Sequence, residues 1–255
     1  MSEVQPEKPN RLQAIEVLTA PGEPFELTDG QVWGRDCRIF KNAPATLRDL
    51  FDSTRSDETF LVYQDERYSF EETWQRTSQI AAILINDYGV VKGDRVAISM
   101  RNYPEWTMAF NAITSIGAVA VAMNALWLSH ELQYGLENSG SKVLLADQER
   151  VDRLVPILDS LAVSVIAVRP TEALPAGVAD LAHLLAACAV TDMPQVPLDP
   201  NDPATILYTS GSTGYPKGAV SCHRNIITAL MSWELEGQIA ALISGVTPPV
   251  PDYQA

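Results

Sequence analysis

The segment with the clearest chemical content is ILYTSGSTGYPKGAV, residues 206–220. An apolar run leads into a stretch that combines glycines, hydroxyl side chains and a lysine: Thr209, Ser210, Gly211, Ser212, Thr213, Gly214 and Lys217. Glycines let the backbone come close to a ligand and turn its N–H groups toward it. Hydroxyl groups donate hydrogen bonds to phosphate oxygens, and a lysine supplies a point charge on a flexible stem. This combination is typical of a loop that holds phosphate groups.

The lysine of this segment is placed differently from the lysine of P-loop ATPases and GTPases. Those proteins carry G-x-x-x-x-G-K-[ST], in which the hydroxyl after the lysine binds Mg²⁺. Here Lys217 is preceded by Pro216 and followed by Gly218. This spacing argues against an unrelated ATP hydrolase of that class. On the loop alone, a solvent-exposed Ser/Gly turn with a chance lysine remains the alternative.

The charge balance narrows the ligands that such a loop could serve. The chain carries a formal net charge of −14, and 46% of its 255 residues are apolar. A protein this acidic is a poor candidate for binding nucleic acid, because phosphate backbones are contacted by clustered Lys and Arg. A single nucleotide is compatible with the charge, since one small anion needs only local N–H groups and a lysine. We therefore expect a small phosphorylated ligand and no nucleic acid.

The cysteines and the apolar segments are typical of a cytoplasmic protein. Cys37, Cys188 and Cys222 are far apart, form no CxxC pair and have no histidine at metal-binding spacing. The longest apolar stretches lie near 117–128 and 179–190, and each is shorter than the ~20 residues that span a bilayer. The N-terminus has no apolar run of the signal-peptide type. We expect no disulfide framework, no metal site, no transmembrane segment and a cytoplasmic location.

Local patterns predict a hairpin and a helix ahead of the central region. The apolar run TFLVY (59–63) and the segment RYSF (67–70) flank a polar turn, which predicts a short hairpin. Ser69 lies three residues before Glu72, the spacing of a capping box at a helix start. In the helix that follows, apolar side chains recur on one face: Trp74, Ala81, Leu84 and Ile85.

Beyond residue 90 the chain alternates between apolar strands and amphipathic helices. Strands are predicted at 95–100, 118–123, 142–147, 163–168 and 205–208. Helices are predicted from Pro104 to Gly117, from a Ser129 cap to Gly140, over 148–159, and from His223 to Trp233. Strands that are apolar on both faces and separated by helices are typical of a parallel sheet covered on both sides. We predict an α/β fold with parallel sheets and helices on both faces.

The flanking regions are less regular. Residues 1–45 are rich in Pro, Gly and acidic residues and show little periodicity, so we interpret them as an N-terminal extension that wraps the surface. Residues 191–203 contain four prolines, which favours a linker or an edge crossing over a helix. The domain that carries the loop is expected to occupy 46–255.

The segment TSGSTGYPKG (209–218) resembles the signature loop of the adenylate-forming (AMP-binding) superfamily. This superfamily includes acyl-CoA synthetases, aryl-acid CoA ligases, the adenylation domains of non-ribosomal peptide synthetases and firefly luciferase. The similarity continues, in the same order, through residues 68–84, 90–147 and 223–226, and covers roughly 45–235. The loop and its ordered context together resemble the N-terminal portion of an acid:CoA ligase, that is, part of the large N-terminal domain.

The resemblance implies a two-step reaction and a set of ligands. The carboxylate of a fatty or aryl acid attacks the α-phosphate of ATP, which gives an acyl-AMP and pyrophosphate. The thiol of coenzyme A then displaces AMP and forms a thioester, and Mg²⁺ accompanies the ATP. By the same resemblance, the β- and γ-phosphates would be held by Thr209, Ser210, Gly211, Ser212, Thr213, Gly214 and Lys217. The implied enzyme is a ligase that forms carbon–sulfur bonds, for example in fatty acid metabolism.

Motifs that such enzymes carry later in their sequences are not found in this chain. They comprise an aromatic–His segment at the acyl pocket, a Tyr-Gly-x-Thr-Glu stretch for adenine and magnesium, an Asp for the ribose, and a lysine on a mobile C-terminal domain. We therefore expect a truncated part that is inactive alone, and we assign no catalytic residue. The alternatives are a non-catalytic remnant that binds a partner or self-associates through exposed sheet edges, and an amino-acid adenylation domain.

Other residues of chemical interest have simpler structural interpretations. His130 is expected at the surface and His183 in helix packing, whereas His223 lies close to the loop in sequence. The acidic residues of 131–152 are interpreted as a solvated helix face. Spaced aromatic residues in such a domain are usually core residues, and three are expected there: Trp106, Phe110 and Trp127.

Overall fold

The computed structural model describes residues 8–209 and 216–246. The strands in chain order are β1 (Leu27–Val32), β2 (Arg35–Phe40), β3 (Thr59–Tyr63), β4 (Glu66–Ser69), β5 (Arg95–Ser99), β6 (Val119–Ala122), β7 (Ser141–Asp147), β8 (Ser164–Val168), β9 (Val178–Asp180), β10 (Pro203–Thr209) and β11 (Lys217–Cys222). The helices are α1 (Arg11–Leu18), α2 (Leu47–Ser53), α3 (Phe70–Asn86), α4 (Pro104–Ser115), α5 (Ser129–Ser139), α6 (Gln148–Leu154), α7 (Leu181–Ala187) and α8 (His223–Ser244), and a 3₁₀ helix covers Val155–Ser160.

The chain divides into two compact units. The larger unit is Thr46–His223, and the smaller unit combines Met1–Ala45 with Arg224–Ala255. The larger unit is built on a seven-stranded sheet in the order β11-β10-β6-β5-β7-β8-β9. Its neighbouring strands run parallel except for β11, which is antiparallel to β10.

Two cores lie on the two faces of this sheet. Successive side chains of β5 belong to different cores: Val96 and Ile98 to one cluster and Ala97 to the other. The first cluster is covered by α3, α4 and α7, and the second by α5 and α6. The fully buried side chains of Ile98 and Leu144 each contribute roughly 1.5–3 kcal/mol relative to exposure. The predicted α/β fold with helices on both faces is confirmed.

The local signals ahead of the sheet are confirmed as well. Strands β3 and β4 form an antiparallel hairpin. The Ser69 hydroxyl accepts a hydrogen bond from the Glu72 N–H at 3.0 Å, and the Glu72 carboxylate accepts from the Ser69 N–H at 2.8 Å. This reciprocal pair satisfies two N–H groups that the first turn of α3 would otherwise leave free.

One helix start differs in detail from the prediction. Ser129 is the first residue of α5 and not its cap, and its hydroxyl donates to the Arg153 carbonyl oxygen at 2.6 Å. The start of α4 is as predicted, because Pro104 is its first residue; the preceding Tyr103 makes no side-chain capping bond. Gly140 follows α5 with a φ of +62°, the left-handed conformation that favours glycine after a helix.

The smaller unit contains more regular structure than the sequence predicted. Within 1–45 the structure forms α1, capped by the Asn10 carboxamide, and the hairpin β1–β2. The guanidinium of Arg11 donates to the Glu236 carboxylate of α8 at 2.8 Å. Helix α8 continues to Ser244, beyond the predicted end near Trp233.

Helix α8 is also the one helix of the described residues that could cross a membrane by length and composition. Its most apolar window has a mean hydropathy of 1.3, and 11% of that window is buried. This is weak evidence, because core helices of soluble proteins and signal sequences meet the same criteria. The expectation of no transmembrane segment therefore stays a prediction.

Candidate functional site

The predicted phosphate loop joins two antiparallel strands at one end of the sheet. Thr209, the last residue of β10, lies directly opposite Lys217, the first residue of β11. The Thr209 hydroxyl donates to the Lys217 carbonyl oxygen at 3.3 Å. Ser210, Gly211, Ser212, Thr213 and Gly214 lie outside the described residues. The structure thus places two of the seven predicted site residues, one at each end of the loop.

The position of this hairpin is favourable for binding a ligand. Strand β10 runs parallel to β6, so its final residue lies at the carboxyl edge of the parallel strands. Ligands of open α/β sheets bind in the crevice outside the carboxyl ends of the strands. The loop that begins after Thr209 is therefore located where such folds place their ligand sites.

The Lys217 side chain has no assigned partner within the described residues. All 18 lysines and arginines of the chain are described. Most of them bind a carboxylate, a side-chain oxygen or a carbonyl oxygen, such as Lys142 with Asp94 at 3.1 Å. Within the described ranges, three make no such contact: Lys217, Arg35 and Arg38. Lys217 is exposed, so its ammonium group is available to an anion.

Helix α5 braces both strands of the loop hairpin. The Tyr208 hydroxyl lies 2.9 Å from the Asn138 side-chain oxygen and 3.1 Å from the Gly135 carbonyl oxygen. The Tyr134 hydroxyl donates to the Pro216 carbonyl oxygen at 3.2 Å, immediately before Lys217. These contacts fix the residues at both ends of the loop to one rigid element. The sequence does not predict these contacts, because no local pattern places α5 beside β10.

The glycine after the lysine serves strand packing. A Cβ at Gly218 would lie 2.8 Å from the Ile206 Cγ2 atom, closer than carbon atoms approach one another. Glycine therefore lets β11 pair closely with β10 at the second residue beyond the loop. Gly135 has a similar role in α5, where a Cβ would meet the Trp127 ring at 2.6 Å.

A buried ion pair ties the neighbouring loops of the same sheet edge together. The Arg150 guanidinium donates to the two Asp147 oxygens at 3.1 and 3.2 Å, and Arg150 and Asp147 are 1% and 3% exposed. Arg150 also donates to the Ala125 carbonyl oxygen at 2.8 Å, and Asp147 accepts from the Arg101 N–H at 3.0 Å. The interpretation of 131–152 as a solvated acidic face is wrong for Asp147, because this residue is buried and paired with Arg150, three residues later.

His223 is a buried structural residue. Its Nδ1 accepts a hydrogen bond from the Leu47 N–H at 3.2 Å, and burial lowers the pKa of the imidazole to about 4. Because Nδ1 accepts, the proton of the neutral ring lies on Nε2, which has no hydrogen-bond partner within the described residues. His130 is exposed as predicted, whereas the packing role predicted for His183 is wrong, since its side chain is 88% exposed.

The aromatic residues expected in the core lie there to different degrees. Trp127 is buried in the second cluster and contacts the Tyr208 ring edge-on, with 5.3 Å between ring centroids. Trp106 and Phe110 are half-buried and stack on one another against the first cluster. These contacts assign all three to packing.

The described residues provide no ready-made metal site. Among residues 8–209 and 216–246, no three His, Cys, Asp or Glu side chains converge in a way that could hold a metal ion.

A mainly parallel sheet with a glycine- and hydroxyl-rich loop at its carboxyl edge is typical of nucleotide-binding α/β proteins. A sequence profile described as AMP-binding enzyme matches residues 50–246 of the chain. The chain therefore belongs to the AMP-binding enzyme family.

Similar proteins support this assignment. The chain is 32% identical over 173 residues to 4-coumarate–CoA ligase 2 of Oryza sativa subsp. japonica, an alignment that covers 64% of this chain and 30% of that protein. It is 35% identical over 158 residues to the long-chain-fatty-acid–CoA ligase FadD13 of Mycobacterium tuberculosis, with coverage of 60% and 29%. The structure of the anthranilate CoA ligase AuaEII in complex with anthranoyl-AMP shares the fold, with a TM-score of 0.66, 24% identity, and coverage of 71% and 35%.

The chain matches only part of the length of these relatives. The alignments span less than a third of these two curated relatives. The comparison establishes the family and the fold of this chain, and its activity and substrates are matters for a proposal.

Proposed function

We propose that the chain supplies the phosphate-binding part of an ATP-dependent acid:CoA ligase. In the complete protein, a carboxylic acid would be converted to an acyl-AMP with release of pyrophosphate, and then to an acyl-CoA. The proposal rests on family membership together with one observation: the side chain of Lys217, at the end of the loop hairpin, makes no ion pair or hydrogen bond within the described residues.

The residues of the loop are proposed to bind and orient the β- and γ-phosphates. Thr209 and Lys217 mark the two ends of the loop, and the hydroxyls and N–H groups of 210–214 are proposed to complete it. Phosphoryl transfer depends mainly on positioning and on charges placed near the phosphate oxygens. The Lys217 ammonium binds no carboxylate among residues 8–209 and 216–246, so it need not break an ion pair there when a phosphate binds. The bracing of Tyr208 and Pro216 by α5 would keep both ends of the loop in place during that contact.

Mg²⁺ and coenzyme A enter the proposal by family resemblance. The described residues offer no carboxylate cluster for a metal ion, so we derive no step through Mg²⁺ here. Coenzyme A supplies the thiol that accepts the acyl group. No residue of this chain is assigned to the thiol or the acid.

The substrate, location and organisation of the complete protein are also proposals. The relatives include ligases named for an aryl acid and for long-chain fatty acids, so we propose a fatty or aryl acid as substrate. We propose a cytoplasmic enzyme in which 1–45 forms an extension and 46–255 forms part of the adenylation domain. We further propose that the 255-residue chain alone is inactive and self-associates through exposed sheet edges.

Acid-dependent exchange of labelled pyrophosphate into ATP tests this function. The assay would use the chain and a version continued with its downstream reading frame, each with fatty, aryl and amino acids. We expect exchange by the longer protein with a fatty or aryl acid, and none by the 255-residue chain. Exchange only with amino acids would identify an amino-acid adenylation domain. No exchange by either protein would indicate a non-catalytic remnant.

Matched variants connect the exchange to the loop. Lys217→Ala is expected to reduce exchange by about 10²-fold, the usual loss when one charge-stabilising donor is removed. The control is Lys142→Ala, because Lys142 is a partly exposed lysine bound to Asp94 in the same unit. If both substitutions have equal effects, Lys217 has no special role in the reaction.

A further inference from the structure

The backbone on both sides of the Lys217 Cα atom is held by side-chain hydroxyl groups. The Pro216 carbonyl oxygen accepts a hydrogen bond from the Tyr134 hydroxyl at 3.2 Å, and the Lys217 carbonyl oxygen accepts one from the Thr209 hydroxyl at 3.3 Å. Because a peptide group is planar, a bond to its carbonyl oxygen restricts the orientation of the whole group. Both peptide groups that flank this Cα atom are therefore restrained, and with them the direction in which the lysine side chain leaves the backbone.

The two hydroxyl groups contribute differently to this restraint. Thr209 lies on β10, opposite Lys217 in the strand pair, so its bond reinforces a contact that the strand pairing already makes. Tyr134 lies on α5, outside the hairpin. Its partner Pro216 precedes β11 and, as a proline, has no N–H with which to join the strand pairing. The Tyr134 bond therefore extends the restraint beyond the end of β11, to the residue before the lysine.

Helix α5 is attached to the rest of the larger unit by contacts that do not involve the loop. The hydroxyl of Ser129, its first residue, donates to the Arg153 carbonyl oxygen at 2.6 Å. The Arg153 guanidinium donates in turn to the Trp127 carbonyl oxygen at 2.7 Å, just ahead of the helix. One side of α5 is buried in the second cluster. The Tyr134 hydroxyl is thus carried by a helix that is itself fixed to the sheet.

We propose that Tyr134 is a positioning residue for the phosphate loop. Its hydroxyl holds the Pro216 carbonyl oxygen and thereby fixes the base of the Lys217 side chain, so that the ammonium group meets the phosphates from one direction. A lysine is a point charge on a flexible four-carbon stem, and less conformational freedom is lost on binding when the base of that stem is already fixed. The proposal rests on the phosphate-binding role proposed for Lys217, and it assigns Tyr134 no contact with ATP.

Hydrogen–deuterium exchange of the 255-residue chain tests this anchor without a ligand. Tyr134→Phe removes the hydroxyl and keeps the ring, and the amides of β11 should then exchange about fivefold faster, as the loss of one neutral hydrogen bond allows. The amides of β7 should be unaffected, which would show that the unit stays folded. The control is Tyr68→Phe, because the Tyr68 hydroxyl donates to the Glu66 carboxylate at 2.7 Å elsewhere in the same unit; it should leave β11 unchanged. Equal exchange of β11 in the native chain and in Tyr134→Phe would overturn the proposal.

A double-mutant cycle of ATP binding tests whether Tyr134 acts through Lys217. Calorimetry would use the longer protein, continued with its downstream reading frame. We expect Tyr134→Phe to weaken ATP binding about threefold when Lys217 is present. In the Lys217→Ala background it should have no further effect, because no ammonium group is left to position. Equal weakening in both backgrounds would overturn the proposal. Unchanged ATP affinity in Lys217→Ala alone would refute the phosphate-binding role of Lys217 itself, and the proposal with it, whatever the amide exchange shows.

Discussion

The buried His223 predicts a pH dependence of stability whose size follows from its surroundings. The ring is fully buried, and burial lowers its pKa from 6.5 to about 4. The nearby carboxylates of Asp202 and Asp49 oppose this shift but do not cancel it. Between these two values the unfolded chain binds a proton that the folded chain does not. Stability is therefore lost as the pH falls from 6.5 toward 4.

The magnitude can be worked out from the two pKa values. A shift of 2.5 units corresponds to about 3.4 kcal/mol once the pH is well below 4, at 1.36 kcal/mol per unit. By linkage, the free energy of unfolding falls by about 1.3 kcal/mol between roughly pH 7.5 and 5.5, and by about 2.5 kcal/mol between roughly pH 7.5 and 4.5. The main cause is burial, which disfavours the charged ring. In addition, the protonated ring carries a proton on Nδ1, which then faces the Leu47 N–H instead of accepting from it.

The assay is urea unfolding at these pH values for the native chain and for His223→Asn. The asparagine side chain offers an acceptor for the Leu47 N–H but has no proton to gain. The variant will be less stable at neutral pH because its side chain is smaller. On acidification to roughly pH 4.5, however, its free energy of unfolding should fall by about 2.5 kcal/mol less than that of the native chain. Parallel pH profiles for the two proteins would refute the argument, as would a histidine NMR signal, assigned by its absence in the variant, that titrates near 6.5.

Three further substitutions test other parts of the larger unit. A bidentate hydrogen bond from Arg169 lowers the pKa of Glu66 to about 2. Stability is therefore lost as the pH falls from 4.5 through about 2. In Glu66→Gln, the free energy of unfolding should not show this loss when it is measured over the same pH range. Gly218→Val should lower the free energy of unfolding, measured by thermal denaturation, by about 1–3 kcal/mol, because its Cβ would meet the Ile206 side chain. Asp147→Ala removes the buried carboxylate of Arg150, which keeps only the half-exposed Glu149 at 2.9 Å. The free energy of unfolding in urea should fall by about 3 kcal/mol, the low end of the range for a broken buried ion pair.

The features that could be predicted from sequence are those with local signals. The buried strands of the sheet are apolar on both faces, and the Ser69–Glu72 capping box has its own spacing rule. Gly140 ends α5 where the sequence predicts, with a positive φ that glycine adopts without strain. In each case neighbours in sequence determine the structure.

The features that were missed depend on distant neighbours or on weak local patterns. Strand β11 begins with exposed residues of small or polar type, so it shows neither an apolar run nor alternation. Helix α8 contains Gly237, which disfavours a helix interior by about 1 kcal/mol, yet the helix continues to Ser244. The contacts of Tyr134 and Tyr208 that brace the loop require the pairing of α5 with β10, which the sequence does not display.

If Lys217 contacts the phosphates of ATP, its removal must weaken the equilibrium binding of ATP. Binding would be measured by calorimetry on the longer protein. We predict that Lys217→Ala weakens ATP binding by about tenfold or more, since a charge-assisted hydrogen bond contributes roughly 1.5–3 kcal/mol, while Lys142→Ala binds ATP normally. Unchanged ATP affinity in Lys217→Ala would show that Lys217 does not contact the phosphates.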